Sequence, residues 1–557
     1  MTIPYLVGDL VAEFIAACGV KSAFGIISVH NIPMLDAVQR QGKVGFVMAR
    51  NEMGAAHMAD GYARANGGLG VVFSSTGPGA ANAVGGIVEA NFAGTPVLHI
   101  TGQSPYMAIG RGQGGVHDVP DQLGMLKSVS KAAFRINSPK EALGVLTNAA
   151  VTALSGRPGP VSVEVPFDVQ RTEIARPAVF DNFQLPLPPK RVPEGAELDR
   201  LVEHIAKARR PMLWLGAGAR EASEGARRLV EMGFCAMNSN AAHGVVPDDH
   251  PRSFGALNGS LSSRPDPIVE GVLQKSDLIL VAGSRLRTNE TQDNKARLPK
   301  NLVQIDIDPA ANGRTYPSEL FVCADTAATL NLLADRLKGK LNVDKGFLDE
   351  VATAKVMANE SFRKTLGPYA TLPDKLRAVM PRDCMWVRDV TLSNGSWGNK
   401  VFQVYNPRDG MYPIGLGIGP GLPLGVGAAV AATAQGRKTV MMSGDGGFAV
   451  NLPELLTAAQ EKVDMVILIM NDNGYGVIKH IQDGGYGGRR CYGDLLPPDF
   501  QKLAEAAHMP HLLAKSIDEV ASQVARGLAM KGPVMVEVQM DSIGPFPNYI
   551  SPPPVKM

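Results

Sequence analysis

Cysteine is scarce in this chain of 557 residues: there are five, at positions 18, 235, 323, 384 and 491. They are odd in number, far apart and without a CxxC pair, which excludes a disulfide framework and a zinc ribbon. Such usage suits a reducing compartment, and the cytoplasm is the expected location. A surplus of one charge is also missing. Against 55 Lys and Arg stand 53 Asp and Glu, a net charge of +2. No basic run or basic helix with interleaved aromatics occurs, so neither nucleic acid nor a membrane surface is an expected partner. The N-terminal MTIPYLVGDLVAEF has early acids and no basic leader, unlike a signal peptide. The one long uncharged stretch, Met411 to Gln435, is broken by glycines and by Pro413, Pro420 and Pro423. It reads as a buried loop entering a helix rather than a membrane span.

What is present is an alternation. Short apolar runs such as LGVVFSS, TPVLHITG, GPVSVEVP, PMLWLGAG, DLILVAG, LVQIDID, TVMMSGD, DMVILIMN and GPVMVEVQM are separated by helical lengths of chain. That rhythm predicts an α/β protein with doubly wound parallel sheets. The proline-rich, polar stretch Asp181 to Glu197 reads as a linker, and 338–372 as a charged connection with apolar positions suited to a helix. The expected blocks are 1–180, 190–340 and 365–545, followed by a proline-rich tail, 546–557. The first and third share a strand–helix rhythm.

The densest chemistry lies in the third block. TVMMSGDGGFAV predicts a buried strand ending in Gly444-Asp445-Gly446-Gly447, with Asn451 and Glu454 spaced as a capping box for the next helix. DMVILIMN predicts a second strand, ending in Asn471-Asp472-Asn473-Gly474-Tyr475. Each turn alone is an ordinary loop. Together they place two acids at the carboxyl ends of parallel strands, where ligands bind in open α/β sheets. Two carboxylates and a carbonyl near Gly474 offer oxygen ligands for a hard cation such as Mg²⁺, which shares its shell with phosphate. The glycines let main chain and its N–H groups approach that phosphate.

The pair, GDG with 24 residues between it and Asn471, resembles the motif of thiamine-diphosphate-dependent enzymes. The run DNGY resembles the acetolactate synthase-like (2-keto acid decarboxylase/carboligase) group. The resemblance covers about residues 1–545. It implies pyrimidine-binding, central and diphosphate-binding domains, and Asp445, Asp472 and the Gly474 carbonyl as magnesium ligands. Gly444, Gly446, Gly447, Tyr475, Gly476 and Val477 complete the diphosphate site. RNEMGAAHMADGYAR resembles the family segment in which a glutamate, here Glu52, hydrogen-bonds the aminopyrimidine and generates the carbon nucleophile; Asn51 stands where histidine is usual. GLGIGPGLPLGVGAA resembles the segment that bends the cofactor, with Ile418 as the prop and the Leu416 carbonyl, where glycine is usual, as acceptor for the 4′-amino group. SSTGPGAANAVGG resembles a segment of the active-site wall and subunit interface. The resemblance also implies that Glu52 and the metal site meet across subunits, in a homodimer or homotetramer.

Departures cluster where substrate would sit. His30 stands where a benzaldehyde lyase also has histidine. The loop GRGQGGVHDVPDQ has His117 and Asp118, with Gln113 nearby, in place of a catalytic glutamine. These four are candidate catalytic residues; a His and a carboxylate can shuttle protons near neutral pH, and they equally suit ordinary loop positions. Ile478 replaces the glutamate with which pyruvate decarboxylases release aldehyde, which favours carboligation. The expected function is carboligation or lysis of small 2-keto acids, aldehydes or 2-hydroxy ketones through an enamine intermediate. The alternatives are a 2-hydroxyacyl-CoA lyase, oxalyl-CoA decarboxylase or benzoylformate decarboxylase type, and a non-catalytic regulatory relative. Some relatives bind FAD or ADP centrally. Gly216-x-Gly218 lacks a third glycine and a matching acid, so a nucleotide is not favoured, and Arg285 and Arg287 read as structural.

Overall fold

The computed structural model describes residues 4–256 and 266–547. Three sheets, parallel in every ladder, organise it. The first contains β1 (Ser22–Gly25), β2 (Gly45–Met48), β3 (Gly70–Ser74), β4 (Val97–Gln103), β5 (Ala132–Arg135) and β6 (Val161–Pro166), in the order β2-β1-β3-β4-β6-β5. The second contains β7 (Pro211–Leu215), β8 (Cys235–Asn238), β9 (Leu278–Ala282), β10 (Leu302–Asp306) and β11 (Leu320–Cys323), in the order β11-β10-β9-β7-β8. The third contains β12 (Met385–Arg388), β13 (Gly410–Met411), β14 (Thr439–Gly444), β15 (Met465–Asn471), β16 (His511–Ala514) and β17 (Val534–Gln539), in the order β13-β12-β14-β15-β17-β16. Central strands such as β3, β4, β9 and β15 are buried throughout, as expected where helices cover both faces of a parallel sheet.

The first and third sheets have the same connectivity: in each, the second strand lies outside the first, the third and fourth follow inward, and the last two exchange places. The shared rhythm of the two sequence blocks is therefore a shared topology. The strand order reverses between β1 and β3 and again between β12 and β14, which makes a crevice at the carboxyl ends of the strands at each place.

The connections follow local chemistry. Residues 182–194 contain no regular element, and the next helix begins at Gly195. Lys345–Lys364 forms a helix of 20 residues, burying Phe347, Val351, Ala354 and Ala358 at helical spacing. After the loop 412–420, Gly421–Ala434 forms a helix buried on nearly every face. Among the described residues no helix is long and apolar enough to cross a membrane.

The Gly421–Ala434 helix explains how the outer domains meet. It crosses the Glu52–Asn66 helix at two glycines: a Cβ on Gly61 would overlap the Leu424 carbonyl, and one on Gly427 the Met58 carbonyl. The two backbones therefore touch directly. Gly427→Val is expected to destabilise the protein by roughly 1–3 kcal/mol, the usual penalty of overpacking, visible as a lower denaturant midpoint with an unchanged slope.

Candidate active site

β14 ends at Gly444, and Asp445 opens the short helix Asp445–Val450 with its side chain almost fully buried. β15, the neighbouring strand, ends at Asn471, so Asp472 emerges beside it. The Asp472 amide donates to Asp445 Oδ1 at 3.3 Å. Asp445 Oδ2 is buried and has no protein partner. Burial raises the Asp445 carboxyl above its ordinary range. Burial and then the charge of Asp445 push Asp472 up to about 7. A buried carboxylate with an orphaned oxygen, beside a half-buried one whose ionisation it opposes, suits a cation between them. Among the described residues no group of three or more His, Cys, Asp or Glu is placed to hold a metal. The pair would have to share its cation with main-chain carbonyls, water or phosphate, the habit of magnesium.

The other predicted diphosphate residues surround this pair. Gly446 lies under the Tyr475 ring, Gly447 faces Asp389, and Gly476 faces the Asp472 carboxylate. Gly474 and Tyr475 are held by the returning chain, where Gly474 forms an isolated antiparallel bridge with Asp494 and the Tyr475 amide donates to the Gly493 carbonyl at 2.8 Å. Val477 is half-buried on the following helix, and Ile478 is exposed. Lys479 reaches back from that helix, donating to the Asp472 and Asn473 carbonyls at 3.3 Å each.

Leu416 sits in the left-handed region, with φ of +63°. A glycine adopts this without penalty, whereas a leucine costs about 1–2 kcal/mol, which accounts for the expected preference for glycine here. Ile418, two residues on, is 43% exposed at the mouth of the crevice. Asp389 was missed in the sequence. It is fully buried at the end of β12 and accepts from Val390 N at 2.7 Å, Gly419 N at 3.1 Å and the Ser443 hydroxyl at 3.1 Å. It thus joins the turn before the Gly421–Ala434 helix to the strand that presents Asp445. Burial pushes its carboxyl up to about 6, against those three donors. An acid at the end of a buried strand is the signal that marked Asp445, and it would have found Asp389.

The predicted capping box is not formed. Asn451 donates instead to the Gly419 carbonyl at 2.9 Å. Glu454 reaches across to the first domain and accepts from the Arg50 and Asn51 amides at 3.2 and 3.0 Å. Distant main-chain donors win over the local cap.

Those donors lie at the start of the Glu52–Asn66 helix. Asn51, the unusual residue beside the glutamate, caps it by accepting from the Met53 amide at 2.8 Å. Glu52 is 8% exposed. Asn82 donates to its Oε2 at 3.1 Å, and a Cβ on Gly79 would stand 2.8 Å from its Oε1. No hydrogen bond or ion pair joins Glu52 to Asp445 or Asp472 among the described residues.

His30 follows β1 and His117 lies in the loop after β4, yet their rings are 5.3 Å apart. His117, itself left-handed, lies 3.4 Å by Nδ1 from the Ser75 hydroxyl. Ser75 borders Gly79 and so Glu52. Two of the four candidate catalytic residues therefore gather at the first crevice. Burial and then His117 lower the His30 pKa, which keeps that imidazole neutral near pH 7. Gln113 is exposed and Asp118 half-buried in the same loop, and no hydrogen bond ties either side chain to the histidines.

A separate cavity of about 520 Å³ opens between the first and central domains, lined by Arg157, Arg220, Arg285, Lys190 and Asp306. Burial pushes Arg220 down to about 9 and Arg285 to about 10. Arg285 donates to the Phe92 carbonyl and Arg287 to the Ile414 carbonyl, so both bind protein across domain boundaries. Gly216 and Gly218 let the 216–219 and 283–284 loops touch, and the Gly218 amide is used by Gly283.

Comparison with known proteins gives the family. Residues 6–125 match the thiamine pyrophosphate enzyme N-terminal TPP binding domain, 198–333 the central domain and 392–538 the C-terminal TPP binding domain. The chain belongs to the thiamine pyrophosphate enzyme family. It is similar to a probable 2-ketoarginine decarboxylase of Pseudomonas aeruginosa, with 29% identity over 96% of this chain and 93% of the relative. It is also similar to a probable acetolactate synthase large subunit of Methanocaldococcus jannaschii, with 28% identity over 97% and 92%, and to acetolactate synthase 2, chloroplastic, of Nicotiana tabacum, with 28% over 98% and 83%. It is a thiamine-diphosphate-dependent enzyme of the acetolactate synthase-like group.

The acid pair predicts a pH effect in the cofactor-free enzyme. An unfolded aspartate titrates near roughly 3.9, whereas folded Asp472 holds its proton to about 7. The folded state binds the extra proton across that window, so this pair's contribution to stability falls as pH rises from about 4 to about 7. Asp445→Asn removes the opposing charge and should flatten that slope in urea titrations of the apo-enzyme across the window.

Proposed function

We propose that this enzyme forms or cleaves the carbon–carbon bond beside the carbonyl of small 2-keto acids or 2-hydroxy ketones. The observation that carries this reading is a buried aspartate beside a half-buried one whose ionisation it opposes, at neighbouring strand ends, in a chain that also buries a glutamate at a helix start in a domain of matching topology. The relatives named for decarboxylating a keto acid and for making acetolactate support 2-keto acids as donors. Thiamine diphosphate, when bound, supplies the carbon nucleophile that protein side chains lack.

The chain's own residues have the following roles. Asp445, Asp472 and the Gly474 carbonyl hold Mg²⁺. The glycines at 444, 446, 447 and 476, with Tyr475 and Val477, line the diphosphate. Ile418 and the Leu416 carbonyl would hold thiamine diphosphate, the first by apolar contact and the second as a hydrogen-bond acceptor. Glu52 would be its proton-exchanging carboxyl partner. His30 and His117 move protons at the substrate, His30 as a neutral imidazole able to accept; Asp118 and Gln113 lie on the same loop. Ile478 puts an apolar group where protonation to aldehyde would need an acid, which favours ligation to a second carbonyl over simple release.

Exposed apolar side chains border both crevices: Ile27, Val29 and Ile32 at the first, Ile418, Val450 and Ile478 at the second. This supports sites completed between two copies, in a homodimer or homotetramer. The five unpaired cysteines suit the cytoplasm. Domain boundaries fall near 180–190 and 340–365. The cationic cavity in the central region supports a second reading there, an FAD- or ADP-sized anion, checked by the absorbance of the purified protein and by titration with ADP.

Thiamine diphosphate with Mg²⁺ is expected to raise the thermal midpoint, by about 2.7 kcal/mol of stabilisation at a ligand concentration 100 times Kd. Glu52→Gln should keep that shift while lowering kcat at least about 100-fold. A panel of 2-keto acids with and without aldehyde acceptors, read by CO2 release and ketol formation, decides the reaction; aldehyde as the sole product would refute the ligase reading.

A further inference from the structure

The loop from Ser104 to Asp121 leaves β4 at Gln103 and returns at Gln122, the first residue of the Gln122–Val129 helix. It contains His117. A loop of this length has no fixed shape unless its ends and body are tied. Both of its ends converge on one buried carboxylate, Glu164 of β6, which lies opposite Thr101 of β4. Gln122 Nε2 donates to Glu164 Oε1 at 2.9 Å and Gln103 Nε2 donates to the same oxygen at 3.3 Å. Arg135 Nε donates to the other oxygen at 2.6 Å. Gln122, Glu164 and Gln103 are all buried.

A carboxylate only accepts, so both amides must turn their NH₂ groups towards it. Their oxygens then face the opposite way, where donors stand. Gln103 Oε1 accepts from the Ser104 amide at 2.7 Å, and Gln122 Oε1 from the Gly77 amide at 2.6 Å. The Thr76 hydroxyl lies 3.1 Å from the first and 2.9 Å from the second. The carboxylate thus sets the polarity of the whole group, and that polarity attaches the loop ends to the turn Thr76–Gly79. Gly77 is in turn packed against the His117 carbonyl, while Ser75 meets the His117 ring and Gly79 meets Glu52.

We propose that Gln122, oriented by Glu164 and Arg135, is a positioning residue for His117: it fastens the 104–121 loop to the Thr76–Gly79 turn and fixes that imidazole beside Ser75. This rests on the reading of His117 as a proton-handling group. Removing the clasp frees the loop without removing any group that touches substrate.

The test uses the full-length protein in two ways. In hydrogen exchange of the cofactor-free enzyme, Gln122→Ala should speed exchange of the 104–121 amides by about 10-fold or more, with β3, β4 and β6 unchanged. In turnover of the keto acid handled fastest in the panel above, Gln122→Ala should lower kcat by about 10–100-fold, the size of a roughly 1 Å misplacement, with KM moved less than about 3-fold. Combined with His117→Ala, it should add nothing to the loss that His117→Ala produces alone. Thr76→Val, which removes the shared hydroxyl at constant size, should shift both readouts the same way by a smaller factor, and it decides the matter if Gln122→Ala does not fold. Unchanged loop exchange, or a kcat loss that persists in full in the His117→Ala background, overturns the proposal. Normal turnover in Gln122→Ala with impaired His117→Ala overturns the clasp alone. Normal turnover in His117→Ala overturns the role of His117 itself, and the clasp with it.

Discussion

The arrangement of the two crevices depends on one buried cation. Arg64, in the last turn of the Glu52–Asn66 helix, pairs with Asp60 on its own helix and with Glu89 at 2.9 Å, and donates to the Tyr412 carbonyl at 2.8 Å. Glu89 in turn accepts from the Ile414 and Gly415 amides at 2.5 and 2.9 Å. Burial works against the charge on Arg64, and the two carboxylates outweigh it, holding the guanidinium above its ordinary pKa. Breaking such a buried pair from one side costs about 3–5 kcal/mol, because a charge is left unmatched. Through this network the helix that begins with Glu52 determines where the loop bearing Leu416 and Ile418 runs, some 350 residues later in the chain.

Around that anchor, charge is distributed in opposite ways at the two crevices. The third domain concentrates carboxylates whose pKa is raised by burial, at Asp445, Asp472 and Asp389, with the charge of Asp445 adding to the rise at Asp472. The first domain offers groups able to exchange protons or hydrogen bonds: two imidazoles, a serine and a glutamate held by an amide. One crevice is suited to gripping a cation and a polyanion, the other to passing protons. The same topology supports both because the residues at the strand ends, rather than the strands, set the chemistry.

Much of this was legible in the sequence, for physical reasons. All nine apolar runs became strands, since a strand buried on both faces must be apolar without interruption. The acids at 445 and 472 were legible because each follows such a run directly. The strands that escaped notice lie at or next to sheet edges: β5, β11 and β16 are edge strands of four residues with mixed burial, β13 has two residues, and β12, four residues and buried throughout, lies beside β13. An edge strand has one neighbour and needs no continuous apolar stretch. Glu454 was misjudged because its spacing from Asn451 fits a local cap, whereas its partners lie 403 and 404 positions away. The pairing of Gln122 with Glu164 follows only from the register of β4 and β6, which no local pattern encodes.

The crossing at Gly61 and Gly427 has a mechanical consequence. Where side chains separate two helices, a soft layer lets them slide. Here main chain bears on main chain, so the Glu52–Asn66 and Gly421–Ala434 helices meet at that crossing with no side-chain layer to deform. The stretch after β4 and the loop behind the second acid lie outside that crossing.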